Sequence, residues 1–279
     1  MTALDLSLCY RDLGFSDAPF RITPDLDFFF PGSHHKAALE HLRYGLLSGG
    51  FTVLTGEVGL GKTLLCRLLL KYPPKGVRTV YLFNPPESSS ELLKAIHLDL
   101  TGHSLKGDSV GSLSQEISRT LLRLAEQGER TAVIVDEAHR LSPELLEGLR
   151  LLSNLETEKE KLLHLLLVGQ PELDRTLSMP CMRPLAQRIS VYYRLLPFRR
   201  GETAAYIRHR LWMAGGRRGV RFRGAALAMA HIFSKGVPRR INQICDRALL
   251  AAFSAGRPEI GMRMVWRAAR EVHGVNGGY

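Results

Sequence analysis

An α/β fold, a parallel sheet covered on both faces by helices and followed by a small all-helical domain, is what this 279-residue sequence predicts. Three observations predict it. Short β-rich runs alternate with helical periodicity from residue 36 to residue 168. Two of those runs, Thr131–Val135 and Leu162–Val168, are almost wholly apolar, as strands buried on both faces are. After Pro197 the strand-like runs stop, and segments of helical period remain between Gly- or Pro-containing breaks.

The elements follow in order. Residues 10–35 mix Pro, Gly and aromatics without steady periodicity, and read as an irregular segment against a core. Lys36–Leu47 places Ala37, Leu39, Leu42, Leu46 and Leu47 near one helical face, and Gly49-Gly50 stops it. Phe51–Thr55 is a strand running into the glycine loop Gly56–Gly61, and Lys62–Lys71 is the helix after it. Thr79–Phe83 reads as a strand, and Glu91–Leu100 and Ser112–Gln127 as helices. Pro143–Leu155 is a helix opened by Ser142 and Pro143. Beyond the sheet, 202–214, 225–235, 238–255 and 262–273 read as helices, and Gly277-Gly278 fray the end. The expected domains are 1–50, an N-terminal segment and first helix packed on the core; 51–196, the α/β domain; and 197–279, a basic helical lid.

Composition narrows the class without fixing it. Hydrophobic residues at 45% and charged residues at 23% are ordinary for a globular protein. Cys9, Cys66, Cys181 and Cys245 show no CxxC spacing, so neither a zinc site nor a disulfide framework is expected, and a reducing cytoplasm fits. No stretch approaches a membrane span, and the start carries Asp5 and no basic run, so no export signal is expected. The net charge of +11 is unevenly spread: residues 197–279 hold 16 Lys and Arg against 4 Asp and Glu. Such a field meets nucleic acid, an anionic membrane surface or an acidic partner alike, and it is also what solvated helix faces carry.

The chemistry concentrates at strand ends. Gly56-Glu57-Val58-Gly59-Leu60-Gly61-Lys62-Thr63 fits GxxxxGK[ST] between a strand and a helix, the context a phosphate-binding loop requires, with Leu64 continuing the helix. The glycines let backbone N–H groups curl round phosphates, Lys62 pairs with the β and γ phosphates, and Thr63 ligates magnesium. Val133-Ile-Val-Asp136-Glu137 ends a buried strand in two carboxylates: Asp136 for the magnesium water shell and Glu137 as base for the attacking water. ATP and Mg2+ are the expected cofactors, and no guanine-reading NKxD string occurs.

Gln170, after the strand ending at Val168, stands where the γ-phosphate would be sensed. Arg188 is the chosen arginine finger, acting in trans in a homo-oligomer; only position separates it from Arg183 and Arg194. Arg239, in Gly236-Val-Pro-Arg239, is aimed toward nucleotide from a helix start. His139 completes Asp-Glu-Ala-His, a string also seen in helicases, and that likeness is read as coincidental; His34 and His35, which could contact adenine from the N-terminal segment, are read as surface loop residues.

Taken together, residues 56–63, 133–137, Gln170, the Arg188 region and Arg239 resemble an AAA+ ATPase, a P-loop NTPase fold. Leu13-Gly-Phe15, Ala18-Pro-Phe20-Arg-Ile-Thr-Pro24-Asp25, Phe28-Phe-Phe30, His35, Leu185-Ala-Gln-Arg-Ile189 and Tyr206–Gly215 are similar to the ExeA/GspA and MshM family. That resemblance implies ATP hydrolysis driving assembly of a type II secretion or MSHA-like type IV pilus machine. It also implies a membrane-protein partner and a cytoplasmic location, peripheral at the inner membrane. Larger family members continue into a membrane span and a periplasmic domain, so a chain ending at Tyr279 looks closer to the short type. The alternative reading is a DNA-binding regulator of Tn7- or Mu-like transposition, using the basic lid.

Overall fold

In the computed structural model, which describes residues 6–156, 161–216 and 219–276, the chain forms two compact units. Met1–Asp5 and Gly277-Gly278, for which an unsignalled start and a frayed end were expected, lie outside the described residues. The elements run α1 (Leu6–Asp12), α2 (Ser33–Ser48), β1 (Gly50–Thr55), α3 (Lys62–Lys71), β2 (Val77–Leu82), α4 (Ser89–Thr101), α5 (Val110–Glu126) and β3 (Arg130–Val135). They continue with α6 (Pro143–Leu152), β4 (Leu163–Gly169), α7 (Pro171–Leu177), α8 (Arg183–Ala186), β5 (Ile189–Arg194) and α9 (Arg200–Met213). Last come β6 (Arg221–Phe222), α10 (Gly224–Ser234), α11 (Pro238–Ser254), β7 (Glu259–Ile260) and α12 (Met262–Asn276).

One unit, His35–Val58 with Leu65–Leu195, is built on five strands in the order β2-β3-β4-β1-β5, all pairs parallel. The apolar content of each strand sets its place. Every residue of β1 and β4 is buried, which suits interior strands with helices on both faces. At the edges burial is partial: β2 buries Val77, Val80 and Leu82 and exposes Arg78, while β5 buries only Val191 of its six residues. Sequence reading had no β5, because Ile-Ser-Val-Tyr-Tyr-Arg lacks the continuous apolar run of its neighbours. Ser142 caps α6 by accepting from the Leu145 N–H at 3.3 Å, and α6 stops at Leu152, three residues short of the expected end.

The other unit joins the described residues of Met1–His34 and Leu196–Tyr279 with Gly59–Leu64. Its core holds Phe15, Phe20 and Phe28 of the N-terminal segment among Phe198, Tyr206, Ile241 and Val265 of the helices. Phe30 stacks edge-on against Phe198, centroids 5.5 Å apart. Arg210 is buried within this unit; its Nε donates to the Pro19 carbonyl at 2.5 Å and its Nη2 to that of Arg21 at 3.0 Å, with the guanidinium 4.5 Å over the Phe28 ring. These bonds satisfy a charge that burial would otherwise penalise. The unit is helical but not wholly so: β6 and β7 pair as a short parallel ladder, Arg221 opposite Glu259. No helix among the described residues is long and apolar enough to cross a membrane.

Candidate functional site

Because every strand of the sheet points the same way, the turns after β1, β3 and β4 leave one carboxyl edge, where parallel α/β sheets bind their ligands. β4 lies between the other two, so the ends of β1 and β3 stand two strand spacings apart, roughly 10 Å. Register places Leu54 beside Val168 and Val135 beside Leu167. Gly56, Asp136 and Gln170 therefore follow three adjacent strands.

Asp136 is completely buried at the end of β3. Its Oδ2 accepts from the Tyr81 hydroxyl at 3.0 Å, and its Oδ1 accepts from the N–H of Glu137 at 2.9 Å. Burial and then the facing Asp136 charge push the Tyr81 hydroxyl well above the usual tyrosine range, so it stays a donor. Tyr81 had been read only as a strand residue; no motif marks it, and only the β2–β3 pairing brings it to Asp136.

Glu137 adopts a left-handed backbone at φ 53°, one of two described non-glycine residues with positive φ. Such strain is sustained only where the surroundings impose it, and it clusters at functional sites. The strained turn swings the carboxylate to Gln170, whose Nε2 donates to Oε2 at 3.4 Å. His139 lies between them, its Nδ1 3.4 Å from Glu137 Oε2 and its Nε2 3.1 Å from Gln170 Nε2. The one-turn helix Ala138–Arg140 packs His139 into the cluster, a placement that the sequence did not suggest.

Gly169 permits that packing, since a Cβ there would meet Leu173 Cδ2 at 2.9 Å and the His139 backbone nitrogen at 3.2 Å.

The glycine loop runs from β1 to α3. Its stretch Gly59–Leu64 belongs to the helical unit, where the Arg239 N–H donates to the Gly59 carbonyl at 3.2 Å. Gly59 has φ +82°, and a Cβ would stand 2.7 Å from that of Arg239, so glycine is required twice over. Lys62 is buried and Leu60 almost wholly so, while Glu57 and Val58 are exposed and Thr63 and Leu64 half-buried. The loop is a backbone cradle with an ammonium and a hydroxyl at its helical end. Asp136 offers a hard carboxylate oxygen, the chemistry that magnesium takes, while the loop's N–H groups and ammonium are the chemistry that phosphate takes.

Residues 46–177 match the AAA domain family. Over 263 residues the chain is 44% identical to General secretion pathway protein A of Aeromonas hydrophila, a match covering 94% of this chain and 48% of that protein, so the chain spans about half the length of that relative. Among solved structures the fold is shared with Cdc6p from Pyrobaculum aerophilum, at TM-score 0.68 and 21% identity over 92% of this chain and 71% of that one. The Aeropyrum pernix ORC2 protein (ADPNP-ADP complexes) matches at TM-score 0.64 and 18% identity, covering 84% and 67%.

The remaining residues singled out from the sequence are placed as follows. Arg188 is half-buried at the head of β5, where its Nη1 donates to the Arg150 carbonyl and Ser153 Oγ, each at 3.4 Å, and to Asn154 Oδ1. Arg183 and Arg194 are exposed. His34 and His35 are not loop residues but open α2, and His35 is buried at 3% exposure, which corrects the surface reading.

Proposed function

We propose that this protein binds Mg-ATP on Gly56–Leu64 and hydrolyses it with Glu137 as base. The observation that carries the proposal is the adjacency of three turns at the carboxyl edge of one parallel sheet, those bearing Gly56, Asp136-Glu137 and Gln170. The backbone of Gly56, Glu57, Val58, Gly59, Leu60 and Gly61 cradles phosphates, Lys62 neutralises the β and γ oxygens, and Thr63 and Asp136 hold the metal. Magnesium, when bound, withdraws charge from those oxygens. Glu137 Oε2 takes the proton of the attacking water, and Gln170, its amide already on that carboxylate, orients the water. Arg239 contributes from the start of α11, and Arg188 of a neighbouring copy serves as finger in a homo-oligomer.

The 44% identity to General secretion pathway protein A supports a role in a secretion machine, and we extend it to type II secretion or MSHA-like pilus assembly. The protein then works in the cytoplasm, at the inner membrane, through a membrane-protein partner. The test is ATP turnover by wild type, Lys62→Ala and Glu137→Gln. Lys62→Ala should lose nucleotide binding, and Glu137→Gln should bind yet fall by at least about a hundredfold in rate. Equal rates for Glu137→Gln and wild type would remove Glu137 from the mechanism.

A second reading, a DNA-bound regulator of Tn7- or Mu-like transposition, is favoured by one observation: Arg208, Arg240, Arg247, Arg257, Arg263 and Arg267 of the helical unit are all exposed. Turnover stimulated by duplex DNA, with stimulation fading as salt rises, would select it; turnover indifferent to DNA supports the secretion reading.

A further inference from the structure

We propose that Tyr81 is a positioning residue whose hydroxyl fixes the plane of the Asp136 carboxylate and so strengthens its hold on magnesium. The inference rests on the hydrolytic reading above, in which Asp136 serves the metal, and adds to it a residue from outside both nucleotide motifs. Two bonds define the carboxylate. Asp136 Oδ2 accepts from the Tyr81 hydroxyl at 3.0 Å, and Oδ1 accepts from the Glu137 N–H at 2.9 Å. With a donor on each oxygen, turning the carboxylate about its last side-chain bond breaks both contacts at once.

The hydroxyl reaches this point because of how β2 lies on β3. The strands pair in parallel with Tyr81 opposite Ile134 and Leu82 opposite Val135, and the Asp136 N–H extends the ladder by donating to the Leu82 carbonyl at 2.9 Å. β2 is an edge strand, and the Tyr81 N–H, outside that ladder, donates to Asp99 Oδ2 of α4 at 2.7 Å. The tyrosine backbone is therefore held between β3 and α4, and the ring carries that rigidity to Asp136. Because Asp136 is completely buried, its carboxylate depends on donors that the protein itself supplies. Phenylalanine at position 81 keeps the ring but takes the Oδ2 donor away, leaving the carboxylate freer to turn. Loss of a hydrogen-bonding partner directly behind a metal ligand weakens metal affinity by roughly 10–100-fold.

The experiment compares wild type, Tyr81→Phe and Asp136→Asn in two measurements that need no turnover. One is the affinity of the ADP complex for Mn2+, a paramagnetic stand-in for magnesium, read by electron paramagnetic resonance; the other is ADP affinity in EDTA. Tyr81→Phe should weaken Mn2+ binding on the order of tenfold while ADP affinity in EDTA stays within about twofold of wild type. In ATP turnover the same variant should need about tenfold more Mg2+ to reach half its maximal rate. A tyrosine that only fills space would leave the Mn2+ affinity where it is. Mn2+ affinity in Tyr81→Phe within about twofold of wild type overturns the proposal, as does Mn2+ affinity that Asp136→Asn leaves unchanged. If wild type turns over no ATP, the hydrolytic reading fails, and the Mn2+ affinities still decide whether Tyr81 positions Asp136.

Discussion

The backbone N–H of Arg239 donates to the carbonyl of Gly59 at 3.2 Å, tying the first turn of α11 to the middle of the glycine loop. Gly59→Ala would place a methyl 2.7 Å from Arg239 Cβ on a backbone at φ +82°. The left-handed conformation alone costs an alanine about 1 kcal/mol, and the clash adds to it. We expect Gly59→Ala to lower stability by about 1–3 kcal/mol and to weaken nucleotide binding at least tenfold, measured by urea unfolding and nucleotide titration. Unchanged affinity would show that this stitch is not part of the phosphate cradle.

Two tyrosines, Tyr10 buried and Tyr81 half-buried, make stability fall at alkaline pH. Burial and then Asp136 hold Tyr81 above the usual tyrosine range, and burial and then the hydrogen bond to Asp246 hold Tyr10 there. A hydroxyl with a raised pKa in the fold contributes stability that is complete below the unfolded value, about 10. That stability is lost as pH rises from there toward the folded value. Unfolding free energy measured from pH 8 to pH 11.5 should decline above about pH 10, and more gently in Tyr81→Phe and Tyr10→Phe. Equal slopes in all three proteins would contradict the assignment.

Phe20 is 1% exposed in the core of the helical unit and meets Phe222 edge to face at 6.1 Å. Phe20→Ala should cost about 3–5 kcal/mol, seen as a drop in melting temperature. Arg210→Met should also destabilise, because the Pro19 and Arg21 carbonyls lose their donor. A near-neutral result for Phe20→Ala would detach the N-terminal segment from that core.

Arg188 is engaged in its own subunit at the end of α6, so a role in trans requires it to leave those carbonyl and amide partners. Mixing Arg188→Ala with Glu137→Gln decides the point, since a mixed interface can hold one intact set of groups. Recovery of ATP turnover on mixing supports Arg188 as the finger; no recovery there, with recovery for Arg183→Ala, moves the role to Arg183, which is exposed.

Much of this was legible before folding. The glycine loop, the strand-terminal Asp136-Glu137 pair and Gln170 could be singled out because each depends on local order: glycines at fixed spacing, or polar residues directly after an apolar run. Strands β3 and β4 announced themselves through unbroken apolar runs, whereas β5, half-exposed at the sheet edge, carried no such signal. The placement of Tyr81 and His139 was not legible for a different reason. Neither carries a local signal for its partner, and each acquires that partner only when another strand is laid beside it.

The sequence by itself therefore determined the alternation of strands and helices, the nucleotide motifs and the Arg-rich character of the last 83 residues. Tertiary structure alone decided the strand order β2-β3-β4-β1-β5, the membership of Phe15, Phe20 and Phe28 in the helical core, and the ring of contacts among Glu137, His139 and Gln170. The division has a physical cause. Periodicity and glycine spacing are properties of neighbours along the chain, set by backbone sterics and one-sided burial. Contacts between residues about 30 or more positions apart depend on which surfaces are removed from water together, and that is settled only when the whole core closes.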